Sequence, residues 1–138
     1  MSVLKTKRSE SKLDVISKAQ SLAAYTMHIC KNENTFPKRD RWMLTKRIVD
    51  EALDLVCLVR KANAVYVTTK EDYLYRRSLQ VQAISTSYSL LTLMQLAYEA
   101  HGITSQRIEH WTGLVISEQE LLRKWRASDD VRYKEYKG

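Results

Sequence analysis

Apolar side chains recur along this chain at steps of three and four, the spacing that gathers residues on one side of an α-helix. Between Leu13 and Cys30 two neighbouring stripes run together: Leu13, Ile16, Gln20, Ala23, Met27 and Cys30, beside Val15, Ala19, Leu22, Thr26 and Ile29. A second run, Thr45, Ile48, Ala52, Leu55, Val59 and Ala62, is widened by Val49 and Val56. The third carries two stripes about 100° apart: Leu74, Arg77, Val81, Ile84, Tyr88, Leu91, Gln95 and Tyr98, and Leu79, Ala83, Thr86, Leu90, Leu93, Ala97 and Ala100. The fourth is Ile108, Trp111, Val115, Glu118, Leu122 and Trp125. A helix with one core-facing side needs one stripe. The double pattern on the third run therefore predicts a central position or a subunit interface.

Start and stop signals bound these runs. Ser11 with Asp14, and Thr68 with Glu71, have the spacing of capping boxes. Asn32-Glu33-Asn34 reads as a turn, and Phe36-Pro37 opens the next helix with proline where its missing N–H is tolerated. Gly102 succeeds the third run as a C-terminal stop, and Thr104 or Ser105 caps the fourth. The signals predict helices over about 11–31, 37–64, 69–101 and 105–128. Residues 1–10 are left as a flexible basic arm, 129–138 as a charged tail, and Val65-Tyr66-Val67-Thr68 as a connector. Short links between long helices predict an all-α, antiparallel up-down-up-down four-helix bundle in a single domain over 11–128.

Composition narrows the chemistry. With 138 residues, three glycines and one proline, the chain can bury a core but lacks the turn residues of a sandwich or barrel. No apolar run approaches a membrane span and no secretion signal opens the chain, so a cytoplasmic protein without membrane association is expected. Cys30 and Cys57 lie in apolar helical stretches and are expected as buried, reduced thiols. Glycine-rich phosphate loops are excluded, and His28, His101 and His110 lack metal-ligand spacing. Glu118, the one carboxylate on a core stripe, is expected to find a hydrogen-bond partner in Tyr88. Gly113 is expected to let two helices approach closely. These residues give no ground for an enzyme, a metal site or a cofactor.

Charge changes the picture more. Of the 23 Lys/Arg and 16 Asp/Glu, residues 1–47 hold eleven and four, and the remainder hold twelve of each. Lys38, Arg39, Arg41, Lys46 and Arg47 crowd the opening of the second run, Arg60 with Lys61 lies at its far end, and Arg76-Arg77 opens the third. Arginine-rich clusters suit phosphate, and without a base-reading module the binding expected is charge- and shape-driven.

Two stretches carry a family resemblance. Phe36-Pro37-Lys38-Arg39-Asp40-Arg41-Trp42-Met43-Leu44 with Arg47-Ile48-Val49-Asp50-Glu51-Ala52-Leu53-Asp54-Leu55, and Ala100-His101-Gly102-Ile103-Thr104-Ser105 leading into Ile108-Glu109-His110-Trp111, resemble the accessory variability determinants of diversity-generating retroelements. These are related to four-helix-bundle proteins of intervening sequences in bacterial ribosomal RNA genes. The similarity covers roughly residues 12–127. It implies a ring- or barrel-like homo-oligomer, a homopentamer, whose basic surface engages a reverse transcriptase with template RNA or DNA during mutagenic cDNA synthesis. Lys38, Arg39, Arg41, Arg47 and Arg76-Arg77 are the basic positions it points to. The connector Val65-Tyr66-Val67-Thr68-Thr69 is more apolar than the family pattern leads one to expect. The alternative is an intervening-sequence-type bundle that serves protein interaction or structure without binding nucleic acid.

Overall fold

A computed structural model describes residues 3–137, with side chains over 14–137 except that of Asp40. Four long helices dominate: α1 (Val3–Lys31), α2 (Lys46–Ala64), α3 (Lys70–His101) and α4 (Ser105–Arg132). There is no strand among the described residues, and the connector after α2 is extended chain. α1 packs on α2 and α4, and α3 packs on the same two helices, so the four surround a common core. Contacts between α3 and α4 pair Arg76 with Asp129, Tyr88 with Arg123 and Tyr98 with Ser105 along their length.

The stripes of α2 and α4 are the core. Every member of the series Thr45 to Ala62 is buried, as are Trp111, Val115, Glu118, Leu122 and Trp125. On α1 only one of the two stripes is wholly inside: Val15, Ala19, Leu22, Thr26 and Ile29 are buried, whereas Gln20 and Met27 face out. α3 departs further. Its core side includes Leu79, Ala83, Leu90 and Ala97 of the second expected stripe, together with Tyr73, Met94 and three polar residues that apolar periodicity passes over, Arg76, Gln80 and Ser87. The stripe beginning at Leu74 lies at the margin of the core: Ile84 and Leu91 pack against it, while Leu74, Val81, Tyr88 and Tyr98 are exposed.

Helix ends differ from the sequence reading in instructive ways. α1 runs unbroken through Ser11 from Val3, so the expected basic arm has helical backbone and the cap at Ser11 is not a helix start. α3 is capped one residue later than expected: Thr69 accepts from the Asp72 N–H, and the Asp72 carboxylate accepts from the Thr68 N–H and hydroxyl. Those donors hold the Asp72 carboxyl below its ordinary range. Gly102 ends α3 at φ 62°, a conformation that suits glycine. Thr104 caps α4 by accepting from the Arg107 N–H.

α4 does not stop near Ser128, because the first acids of the expected tail are structural. Asp129 is buried and receives Arg76 Nε at 2.6 Å, Arg76 Nη2 at 3.2 Å and Gln80 Nε2 at 2.8 Å. The Arg76 head also donates to the carbonyls of Ala62 and Val65 and lies 5.0 Å from the Trp125 ring. It thus satisfies the C-terminal end of α2 while joining α3 to α4. Alongside, Arg77 pairs with Asp130, and the Tyr73 hydroxyl donates to Asp130 at 2.8 Å. Burial, then Asp130, raises the Tyr73 hydroxyl pKa. Tyr133 and Tyr136 pack their rings against Tyr73 beyond the helix end.

Two further expectations fail. Glu118 is fully buried, yet neither carboxylate oxygen has a partner among the described residues, since Tyr88 is exposed and meets Arg123 instead. Burial raises the Glu118 carboxyl to about 9, only partly offset by Lys18, so it is protonated at neutral pH. Gly113 has open space where a Cβ would stand, so it is not a point of close helix approach.

Replacing Asp129 by Ala leaves the Arg76 charge buried and unpaired, and should cost about 3–5 kcal/mol of stability in urea titration. Asp50→Ala breaks only the exposed Lys46–Asp50 pair and should cost under about 0.5 kcal/mol. Glu118 gives a pH signature. Unfolded, it ionises near 4.5; folded, only near 9. Between those values the folded chain holds the extra proton, so stability should fall as pH rises, by on the order of 1 kcal/mol per unit. Denaturation midpoints across that window should flatten in Glu118→Gln.

Candidate nucleic-acid interface

Pro37, with ψ near 146°, turns the chain from the α1–α2 connection into a graded helix start: a 3-10 turn over Lys38–Asp40, a π turn over Arg41–Thr45, then α2. The connection is tied down by Asn32, whose carbonyl accepts from the N–H groups of Thr35 and Phe36 and whose side chain accepts from Asn34. Phe36 is the anchor. Its buried ring meets His101 edge-on at 5.4 Å and Trp111 at 6.2 Å. Arg107 donates to Thr35 at 2.9 Å, and Trp111 donates to Thr26 at 3.0 Å. The segment around Phe36 and the segment from His101 to Trp111 therefore meet at one end of the molecule.

Phe36 and Thr45 are turned inward and Leu44 packs against the core, while most of the other described side chains between them are exposed. Lys38, Arg39 and Arg41 are at the surface, as are Lys46 and Arg47 in the first turn of α2. Trp42 and Met43 sit among them at 75% and 71% exposure, unusual for side chains of that size. Lys38 lies 3.4 Å from Glu33, and Lys46 lies 2.7 Å from Asp50, all four well solvated. Arg39, Arg41 and Arg47 have no acidic partner among the described side chains. Five of the eight expected basic residues thus gather at one end.

The remaining three go elsewhere. Arg60 is exposed further along α2, where it lines the seam between α1 and α2. Arg76 is corrected outright: at 4% exposure and paired with Asp129, it is a core residue with no surface to offer. Its sequence neighbour Arg77 is partly buried and pairs with Asp130.

Sequence reasoning misses the groove these cations border. A cleft of about 280 Å³ opens between α1 and the π turn, with Met27, Cys30 and Val49 beside Trp42, and with Lys31, Arg41 and Lys46 around it. Lys31 and Arg41 also line an adjoining recess of about 270 Å³ beneath Pro37 and Lys38. Along the same seam a wider hollow of about 570 Å³ reaches Val56, Cys57, Arg60 and Lys61. Met27 borders both the cleft and this hollow, although its place on a helical stripe marks it for the core.

Nothing in the cleft is poised for covalent chemistry. Burial pushes the Cys30 thiol up to about 12, so it stays protonated and a poor nucleophile. Cys57 is exposed, contrary to expectation, because it lies off the α2 face defined by Leu55, Val59 and Ala62. His110 packs edge-on against Tyr25, and His101 against Phe36. No cluster of metal-ligating side chains exists among the described residues, and none of the described helices is long and apolar enough to cross a membrane.

The two thiols should separate cleanly in a labelling experiment. Iodoacetamide at neutral pH should modify Cys57 alone, read by peptide mass spectrometry, with Cys30 reacting only after denaturation. Comparison with protein-family models, with curated proteins and with solved structures finds no match to this chain.

Proposed function

We propose that this chain is a non-catalytic accessory factor of a diversity-generating retroelement. In this reading it is an antiparallel up-down-up-down four-helix bundle that assembles into a ring- or barrel-like homopentamer in the cytoplasm. Its basic end binds template RNA or DNA together with a reverse transcriptase, and so supports mutagenic cDNA synthesis. The observation that carries the proposal is the gathering of Lys38, Arg39, Arg41, Lys46 and Arg47 at one end, three of them without an acidic partner among the described side chains. Such a cluster draws a polyanion by counterion release and gives little base discrimination.

Two further features support it. The resemblance-bearing stretches converge through Phe36, His101 and Trp111, and the cationic cluster grows from that junction. The marginal stripe of α3, with Leu74, Val81 and Tyr88 exposed, supplies apolar surface for a second copy. That same stripe also suits the alternative, an intervening-sequence-type bundle that binds only protein.

Reversing Arg39, Arg41 and Arg47 to Glu should abolish filter retention of RNA and DNA while circular dichroism stays unchanged. Wild-type retention should fall steeply between low and physiological salt, by nearly one log–log unit per phosphate contact for duplex DNA. Unchanged retention in the triple variant, or no retention by the wild type at low salt, would leave the protein-binding alternative.

A further inference from the structure

The cationic end contains a feature that phosphate binding alone does not use. Trp42 is 75% exposed, while Trp111 and Trp125 are at 0% and 6%. An indole left in water amid Arg39, Arg41, Lys46 and Arg47 forgoes the burial that such a side chain ordinarily gains. It stands on a π turn, an irregularity that recurs at functional sites. The indole also forms one wall of the 280 Å³ cleft, which Met27 and Val49 line as well. Thr45, in the same lining, is 8% exposed and has a hydroxyl with no hydrogen-bond partner among the described residues.

We infer that Trp42 and this cleft form a stacking site for an unpaired base of a single-stranded nucleic acid, with Lys31, Arg41 and Lys46 taking the flanking phosphates. The inference rests on the proposed nucleic-acid binding and specifies the form of the ligand. Three observations favour a single strand. An exposed ring beside an apolar floor offers a face to a base but cannot reach one stacked inside a duplex. The cleft, at about 280 Å³, has room for a single planar base beside the indole. The ring of Trp42 and the side chains of Met27 and Val49 carry no donor–acceptor pattern that reads a base edge, so stacking on them accepts any base. Charge complementarity points the same way: the lining has three cations and no acid, and Asp50 lies outside it, paired with Lys46.

Because Trp42 is the exposed indole, fluorescence reports on it directly. Titration of the full chain with single strands about twelve nucleotides long, RNA and DNA in separate arms, should quench the solvent-exposed part of the emission. The matched duplex should bind with much less quenching. Trp42→Ala should weaken single-strand binding about tenfold or more, change duplex binding little, and abolish the quench; Trp42→Phe should restore most of the affinity. Equal single-strand affinity in Trp42→Ala, alongside intact salt-sensitive binding, would overturn the stacking site and leave the proposed function standing. Absence of any nucleic-acid binding would overturn both. Quenching by an acidic peptide, with single strands producing none, would overturn the inference in favour of a protein ligand.

Discussion

The buried ion pair between Arg76 and Asp129 is the constraint on which the rest of the architecture depends. A guanidinium in a core is costly unless each of its donors is used. Here Asp129 takes two of its hydrogen bonds, the carbonyls of Ala62 and Val65 take two more, and the Trp125 ring covers its face. One side chain of α3 therefore fixes where α2 ends and how far α4 continues. Gln80, a second polar residue of the same stripe, also donates to Asp129, so α3 holds that carboxylate from two positions.

With that end locked, the opposite end is shaped by aromatic packing. Phe36 between His101 and Trp111 anchors the α1–α2 connection, and Trp111 spends its indole N–H on Thr26. The core is consequently polar and specific where α2 meets α3 and α4, and aromatic where α1 turns into α2. Cations divide accordingly. Those near the polar end, Arg76 and Arg77, are consumed by acids. Around the aromatic end the anchoring residues are apolar, so the neighbouring arginines stay in water.

Much of this is legible in the residue pattern. The α2 and α4 stripes correspond closely with buried residues, because each helix has a single inward face that is mostly apolar, with Thr45, Glu118, Gln119 and Asp129 as its buried polar members. Gly102 and Thr104 mark their helix ends through local backbone chemistry that needs no tertiary partner. α3 is read only in part, Leu79, Ala83, Leu90 and Ala97 being buried as expected, for a reason equally physical. Its core stripe contains Arg76, Gln80 and Ser87, and hydropathy cannot show that a partner 53 residues away neutralises an arginine. The same blindness turns Asp129 into tail and Arg76 into surface. At the cationic end, sequence locates Lys38 to Arg47 but not the cleft, which arises from the meeting of α1 with the π turn. Glu118 shows the opposite failure: its burial is legible, whereas the partner assigned to it faces outward.

The graded start of α2 bears on which lengths of chain this fold accepts. Residues nine apart in a regular α-helix point to roughly opposite sides, at about 100° per step. Phe36 and Thr45 both point inward because proline, a 3-10 turn and a π turn intervene. A π turn is in effect an α-helix holding one surplus residue. Deleting a residue there can be absorbed by tightening the coil, without disturbing the helix downstream. The same deletion within α2 would rotate Ile48, Ala52, Leu55, Val59 and Ala62 out of step with one another. The entrance to α2 is thus the segment where homologous chains can differ in length while the interior stays in phase.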